Sequence, residues 1–213
     1  MRVARTIRPE PLARPAAIAM AHGIGQSGVL KLFSSMYLCK PSRKAIGDWT
    51  YFLSDKPADY LADLKLAVDA IGVNSCGIEE ALLWDYTRLF IGPYKLPCPP
   101  WESVYRSQGR LMMQDAADDA RRTYAAFGLS VDETGIMPDH IGVELNFLAL
   151  VYELAGEENR KQSDCMRIRE TFLNDHLLQW VPQFTTDMEA AAESHFYKSL
   201  ARTTKATLAL LSA

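Results

Sequence analysis

Asp139, His140 and Glu144 are the residues whose types and spacing most invite chemistry in this chain. They open an otherwise apolar stretch, IMPDHIGVELNFLALVYELA, at residues 136–155. Polar groups that enter a buried helix either cap it or face a site. An aspartate directly after Pro138 is a good N-cap, because its carboxylate can accept a free N–H two or three positions on. A histidine at the same helix start is disfavoured in its charged form by the helix dipole. Asp139 and His140 cannot act as a catalytic dyad with each other, since neighbours on a helix diverge by about 100°. No G-x-S-x-G motif and no G-x-x-x-x-G-K-[ST] phosphate loop supplies a nucleophile or a nucleotide cradle. The letters GIGQSG at 23–28 match G-x-G-x-x-G, but no strand is predicted before them. The four histidines are dispersed, and Cys39, Cys76, Cys98 and Cys165 show neither CxxC nor zinc spacing. A reducing compartment is the expectation.

The element that positions Asp139, His140 and Glu144 is a helix apolar on two sides. Ile141, Leu145, Leu148 and Tyr152 form one row, and Val143, Phe147, Leu150 and Leu154 a second, which predicts a helix enclosed by protein. Around it the period is helical almost throughout. Helices are predicted near 27–39, at 60–71, at 79–90, from about 108 to 127, from 159 to 180 and over 189–211, with Pro182 as an interruption. No alternating β-type run of useful length appears. The fold class expected is an all-α, single-domain helical bundle over 27–213, preceded by a flexible tail at 1–26. That tail has no apolar run long enough for a signal peptide or a spanning helix, so the chain is expected to stay in the cytoplasm. With 213 residues, 48% of them hydrophobic, the chain can bury a sizeable core. A net charge of −3 argues against nucleic acid as the main partner.

Helical order breaks at LFIGPYKLPCPPWESVY, residues 89–105. Its four prolines between 93 and 100 fix an extended, largely unpaired backbone. Phe90, Tyr94, Leu96, Trp101 and Tyr105 are carried on that stiff segment. It suits either a crossover that plugs the bundle core or the lining of a peptide groove, since preordered aromatics lose little entropy on binding. A long loop between helical halves is also a hinge for domain swapping, so monomer and swapped dimer both stay open.

Four stretches occur in a fixed order: YTRLFIGPYKLPCPPWESVY (86–105), PDHIGVEL (138–145), FLNDHLLQWVPQF (172–184) and HFYKSLARTT (195–204). In these the chain resembles the TorD/DmsD family of redox-enzyme maturation chaperones over roughly residues 27–211. The resemblance implies an all-α cytoplasmic chaperone, not an enzyme. Its implied partner is the twin-arginine signal peptide on the precursor of a molybdopterin-dependent oxidoreductase, held back from export until its cofactor is inserted. Carried over by position, the implied peptide surface is Tyr86, Leu89, Phe90, Tyr94, Pro99, Pro100, Trp101, Asp139 and His140. Glu144 joins them as a further carboxylate, and Glu102 is a third. Carboxylates can take an arginine through charge-assisted hydrogen bonds, and Trp101 or Tyr94 can stack on a guanidinium. The family commonly has a glutamate three residues before the aspartate. Ile136 stands there, leaving one carboxylate fewer unless Glu133 substitutes. Links to molybdopterin and guanine nucleotide come with the resemblance alone, and no resident cofactor is expected from the residues. By spacing alone His176 and Trp180 are expected to be core. Two rival readings are a small all-α nucleotide-binding protein or hydrolase using His140, and a general adaptor for apolar helices.

Overall fold

The computed structural model describes residues 5–7, 25–54, 58–73, 77–93, 95–131, 135–156 and 161–213. The helices are α1 (Gln26–Leu38), α2 (Arg43–Leu53), α3 (Ala62–Val73) and α4 (Ile78–Tyr86), then α5 (Glu102–Arg106) and α6 (Asp115–Ala126). They continue as α7 (Ile141–Leu154), α8 (Gln162–Phe172), α9 (Leu178–Ala191) and α10 (His195–Leu211). The all-α expectation holds.

α7 is the enclosed helix that its two apolar rows predict. Five consecutive residues, Ile141 to Leu145, are buried, so no face is left to solvent at its start. α1 packs along it. The approach is close because Gly142 has no side chain: an added Cβ would lie 2.5 Å from Cγ of Leu38. Ser34 Oγ donates to the Gly142 carbonyl at 2.6 Å across this contact. α8 also packs against α7, while α9 packs on α10, α10 on α3 and α3 on α2. Phe147, Tyr124 and Phe172 meet in the core with ring centroids 4.6 to 5.9 Å apart.

Several sequence expectations need correction. The segment 107–114 is not helical, and α6 begins only at Asp115. Arg110 (φ 51°) and Met113 (φ 57°) adopt left-handed backbone there, which a right-handed helix cannot include. Pro182 does not interrupt a helix but lies inside α9. A π-helical turn at Leu173–Leu177 immediately precedes α9, and the helix runs through Pro182 to Ala191 despite the missing donor. A second π-helical turn, Thr87–Ile91, prolongs α4 and stops at Gly92, whose φ of 89° needs a glycine. Among the described residues, the non-helical part of the aromatic segment is therefore 92–93 and 95–101, not 89–105.

A short parallel pair also exists, β1 (Arg5–Ile7) with β2 (Leu129–Val131). Three residues are too few for alternation to show in a sequence. Ile7 is buried, which corrects the flexible-tail expectation at that point; most of 1–26 lies outside the described residues.

Gly142→Ala tests the central contact. We expect a loss of about 1–3 kcal/mol in urea unfolding from overpacking against Leu38. The loss should shrink when Leu38→Ala is combined with it, because the second change removes the clash.

Candidate functional site

The proline segment and the mouth of α7 are tied together backbone to backbone. Ile141 N donates to Pro100 O at 2.9 Å, and Glu102 N donates to Asp139 O at 3.0 Å. Trp101 and His140 face each other across this isolated antiparallel bridge, their rings edge to face at 6.2 Å. Tyr124 Oη donates to Pro138 O at 2.8 Å and holds the turn from below.

The capping differs from the local expectation. Asp139 does not cap α7. Its Oδ2 accepts from Ser103 N at 3.0 Å, satisfying a free donor at the start of α5. His140 is the N-cap of α7, with Nδ1 accepting from Gly142 N at 3.1 Å. His140 is only partly exposed, and burial pushes its pKa down to about 3. The neutral ring is the form the cap requires, because protonating Nδ1 would remove the acceptor.

Beneath the bridge lies a polar layer. Glu102, Asp139 and Glu144 have no exposed surface, and His176 is nearly closed off. Glu102 Oε1 accepts from Arg106 at 2.6 Å and its Oε2 lies 2.8 Å from His176 Nδ1. Arg106 also donates to Asp175 O at 3.0 Å. Glu144 Oε2 accepts from Trp180 Nε1 at 3.1 Å. Burial pushes the Glu144 carboxyl well up, with the charges of Glu102 and then Asp139 adding to the effect. Glu102, Glu144 and His176 are the group of potential ligating side chains found among the described residues, with donor atoms within 4.8 Å. Arg106 already supplies positive charge to it.

The residues expected to form a peptide surface thus separate by depth. Tyr86, Leu89, Phe90, Pro99 and Pro100 are buried with Asp139 and Glu144, and only Trp101 and His140 of that set are half-exposed. Phe90 packs among Tyr37, Tyr86, Tyr197 and Phe184, and Tyr86 Oη donates to Tyr37 O at 3.3 Å. Direct contact with a ligand by the buried members is closed in this conformation. Tyr94 and Glu133 lie outside the described residues. Apolar side chains that do reach solvent near these elements in sequence are Trp84, Ile91, Leu111, Met112 and Met113. Sequence reasoning passed over them, and it placed His176 and Trp180 in the core without their partners. The i, i+4 pair Glu102–Arg106 was a readable signal. The pairing of Glu102 with His176, 74 residues away, was not.

The Trp101–His140 bridge is the junction of the two motifs at 86–105 and 138–145. A family model described as nitrate reductase delta subunit matches residues 55–186, which include both motifs and the one at 172–184. The chain belongs to this family. Among curated relatives it is 34% identical over 132 residues to a protein named Tat proofreading chaperone DmsD from Salmonella typhi, covering 62% of this chain and 60% of that one. It is 29% identical over 121 residues to a chaperone protein TorD from Vibrio parahaemolyticus, covering 55% and 56%. The resemblance to the TorD/DmsD family is borne out, and these names point to a non-enzymatic role. The chain spans about three fifths of the length of curated relatives such as these. A solved structure from Archaeoglobus fulgidus, described as a redox enzyme maturation protein, superposes with a TM-score of 0.62 at 23% identity, covering 89% of this chain and 98% of the other. That likeness shows a shared fold.

His140 generates a pH prediction. Its folded pKa lies below its unfolded value, so its contribution is complete above about pH 6.5 and is lost as pH falls toward 3. In His140→Asn, which keeps a capping side chain but does not titrate, the acid slope of unfolding stability should be shallower over that window. NMR of the wild-type imidazole should show no protonation at about pH 5.5; a ring charged at that pH would contradict the cap.

Proposed function

We propose that this protein is a cytoplasmic, non-catalytic chaperone that binds the twin-arginine signal peptide of a molybdopterin-dependent oxidoreductase precursor. In this reading it assists cofactor insertion before export and carries no resident cofactor. The observation that carries the reading is the Trp101–His140 bridge. It joins the family's two motifs, leaves the indole and imidazole half-exposed, and places buried carboxylates directly beneath them. Trp101 would stack on a guanidinium. The charge of Asp139 under the bridge would draw the arginines without touching them, because a buried charge is screened less than one in water. Among the described residues no helix is long and apolar enough to cross a membrane, which fits a chaperone that meets its client before export.

The hydrolase reading finds little support. His140 Nδ1 is engaged by the cap, and its exposed neighbour is an indole. A Ser–His–Asp group does occur elsewhere, at Ser199, His195 and Asp63. There Ser199 Oγ donates to Asp63 at 2.7 Å, His195 Nε2 lies 3.3 Å from the same carboxylate, and Arg202 neutralises it at 2.7 Å. Serine and aspartate crowd one imidazole nitrogen, so the relay order of a triad is not formed.

Calorimetric titration with a candidate client's signal peptide, beside a copy with both arginines changed to alanine, tests the proposal. The native peptide should bind more tightly. Trp101→Ala should weaken it by roughly 2- to 30-fold, the range of one cation–π contact. Asp139→Asn keeps an acceptor for Ser103 and should weaken binding while the fold persists. Equal binding of both peptides would instead favour a general apolar-helix adaptor.

A further inference from the structure

Three carboxyl groups are sealed under the bridge: Glu102 on α5, Asp139 in the turn before α7, and Glu144 on α7. The groups that face them can be assigned element by element. α5 contributes Arg106, which sits on Glu102 Oε1 at 2.6 Å. The π-helical turn before α9 contributes His176, 2.8 Å from Glu102 Oε2. α9 contributes Trp180 Nε1, which donates to Glu144 Oε2. α6 contributes Tyr124, whose hydroxyl is already given to Pro138 O. Both oxygens of Glu102 are therefore partnered and one oxygen of Glu144 is partnered. Glu144 Oε1 is fully buried with no partner, as is Asp139 Oδ1, and an oxygen of Glu144 lies within 4.8 Å of one of Glu102. Two ionised carboxylates this close, with one oxygen unanswered, would repel in a medium that screens poorly.

We propose that Glu144 and Glu102 hold one proton between them, and that this buried proton latches α5 and the proline segment onto α7 and α9. The proton rests on Glu144 Oε1 and is directed at Glu102, where Arg106 best matches the negative charge. It supplies the donor that Glu144 Oε1 otherwise lacks. The burial and neighbouring charge that push the Glu144 carboxyl up act in the same direction. A proton fits better than a metal ion, because a cation would have to share Glu102 with a guanidinium 2.6 Å away and with His176.

The sign of the consequence is opposite to that of an ordinary salt-bridged carboxylate. A carboxyl group whose folded pKa is raised stabilises fully below its unfolded pKa, and that contribution is lost as pH rises through the folded value. The latch is thus an alkaline-sensitive joint placed under the candidate peptide surface. It does not depend on which client is bound.

Infrared difference spectra and urea unfolding of the whole protein, from about pH 6 to about pH 9, test the latch. Wild type should show an un-ionised carboxyl band at neutral pH, and its unfolding midpoint should fall as pH rises. Glu144→Gln mimics the protonated acid: its carbonyl can accept from Trp180 and its amide can donate to Glu102. It should lose the band, hold a flatter midpoint across the range, and match or exceed wild type at the alkaline end. Glu102→Gln should likewise flatten the slope. Absence of the band in wild type, an unchanged slope in Glu144→Gln, or failure of that variant to fold would each overturn the proposal. So would a zinc-dependent rise of the midpoint in wild type that Glu144→Gln abolishes, which would assign the cluster to a metal.

Discussion

The reciprocal bridge between Pro100–Ser103 and Asp139–Ile141 is the constraint on which the rest of the site depends. Pro93, Pro97, Pro99 and Pro100 carry no backbone donor, so the segment cannot satisfy itself as a helix or a hairpin. Its remaining polar groups must find partners elsewhere. The mouth of α7 has the complementary need, because a helix start leaves donors free. Ile141 N answers Pro100 O, while the carbonyl and carboxylate of Asp139 answer the first two donors of α5. Two helix starts are thereby brought together, and their positive ends converge on the place where Glu102, Asp139 and Glu144 are buried.

That convergence makes the burial of three carboxyl groups tolerable. A carboxyl group taken out of water needs partners, and here they come from three separate elements: Arg106 and the Ser103 N–H on α5, His176 on a π-helical turn and Trp180 on α9. A network of this kind is satisfied in one arrangement only, so it fixes the positions of the elements as well as their contact. The π-helical turn matters for the same reason. It occurs within the α8–α9 run and sets His176 against Glu102 while Trp180, one turn later, reaches Glu144.

What was legible in the sequence is what local periodicity encodes. The two apolar rows of α7 announce an enclosed helix, and Ile141 to Leu145 are indeed buried together. Local rules failed where the partner lies far along the chain. An aspartate after a proline reads as the cap of its own helix, yet Asp139 caps one that begins 37 residues earlier, and His140 takes the nearer role. The left-handed Arg110 and Met113, just after Gly109, delay α6 at residues that are not themselves glycine. Pro182 reads as a stop, but the helix runs through it to Ala191. The depth of Asp139 and Glu144 depended on what covers them.

The separation by depth bears on how such a site can recognise a charged, partly apolar chain. Carboxylates exposed at the surface would be hydrated, and a ligand would have to strip that water before pairing. Asp139, below Trp101 and His140, has been desolvated during folding, while Glu102 is paired with Arg106 and Glu144 holds the proposed proton. A guanidinium laid on the indole therefore meets both the ring quadrupole and the charge behind it, and neither partner needs to be buried bare. Under the proposed function, such an arrangement would suit a planar, weakly hydrated cation better than a compact ammonium.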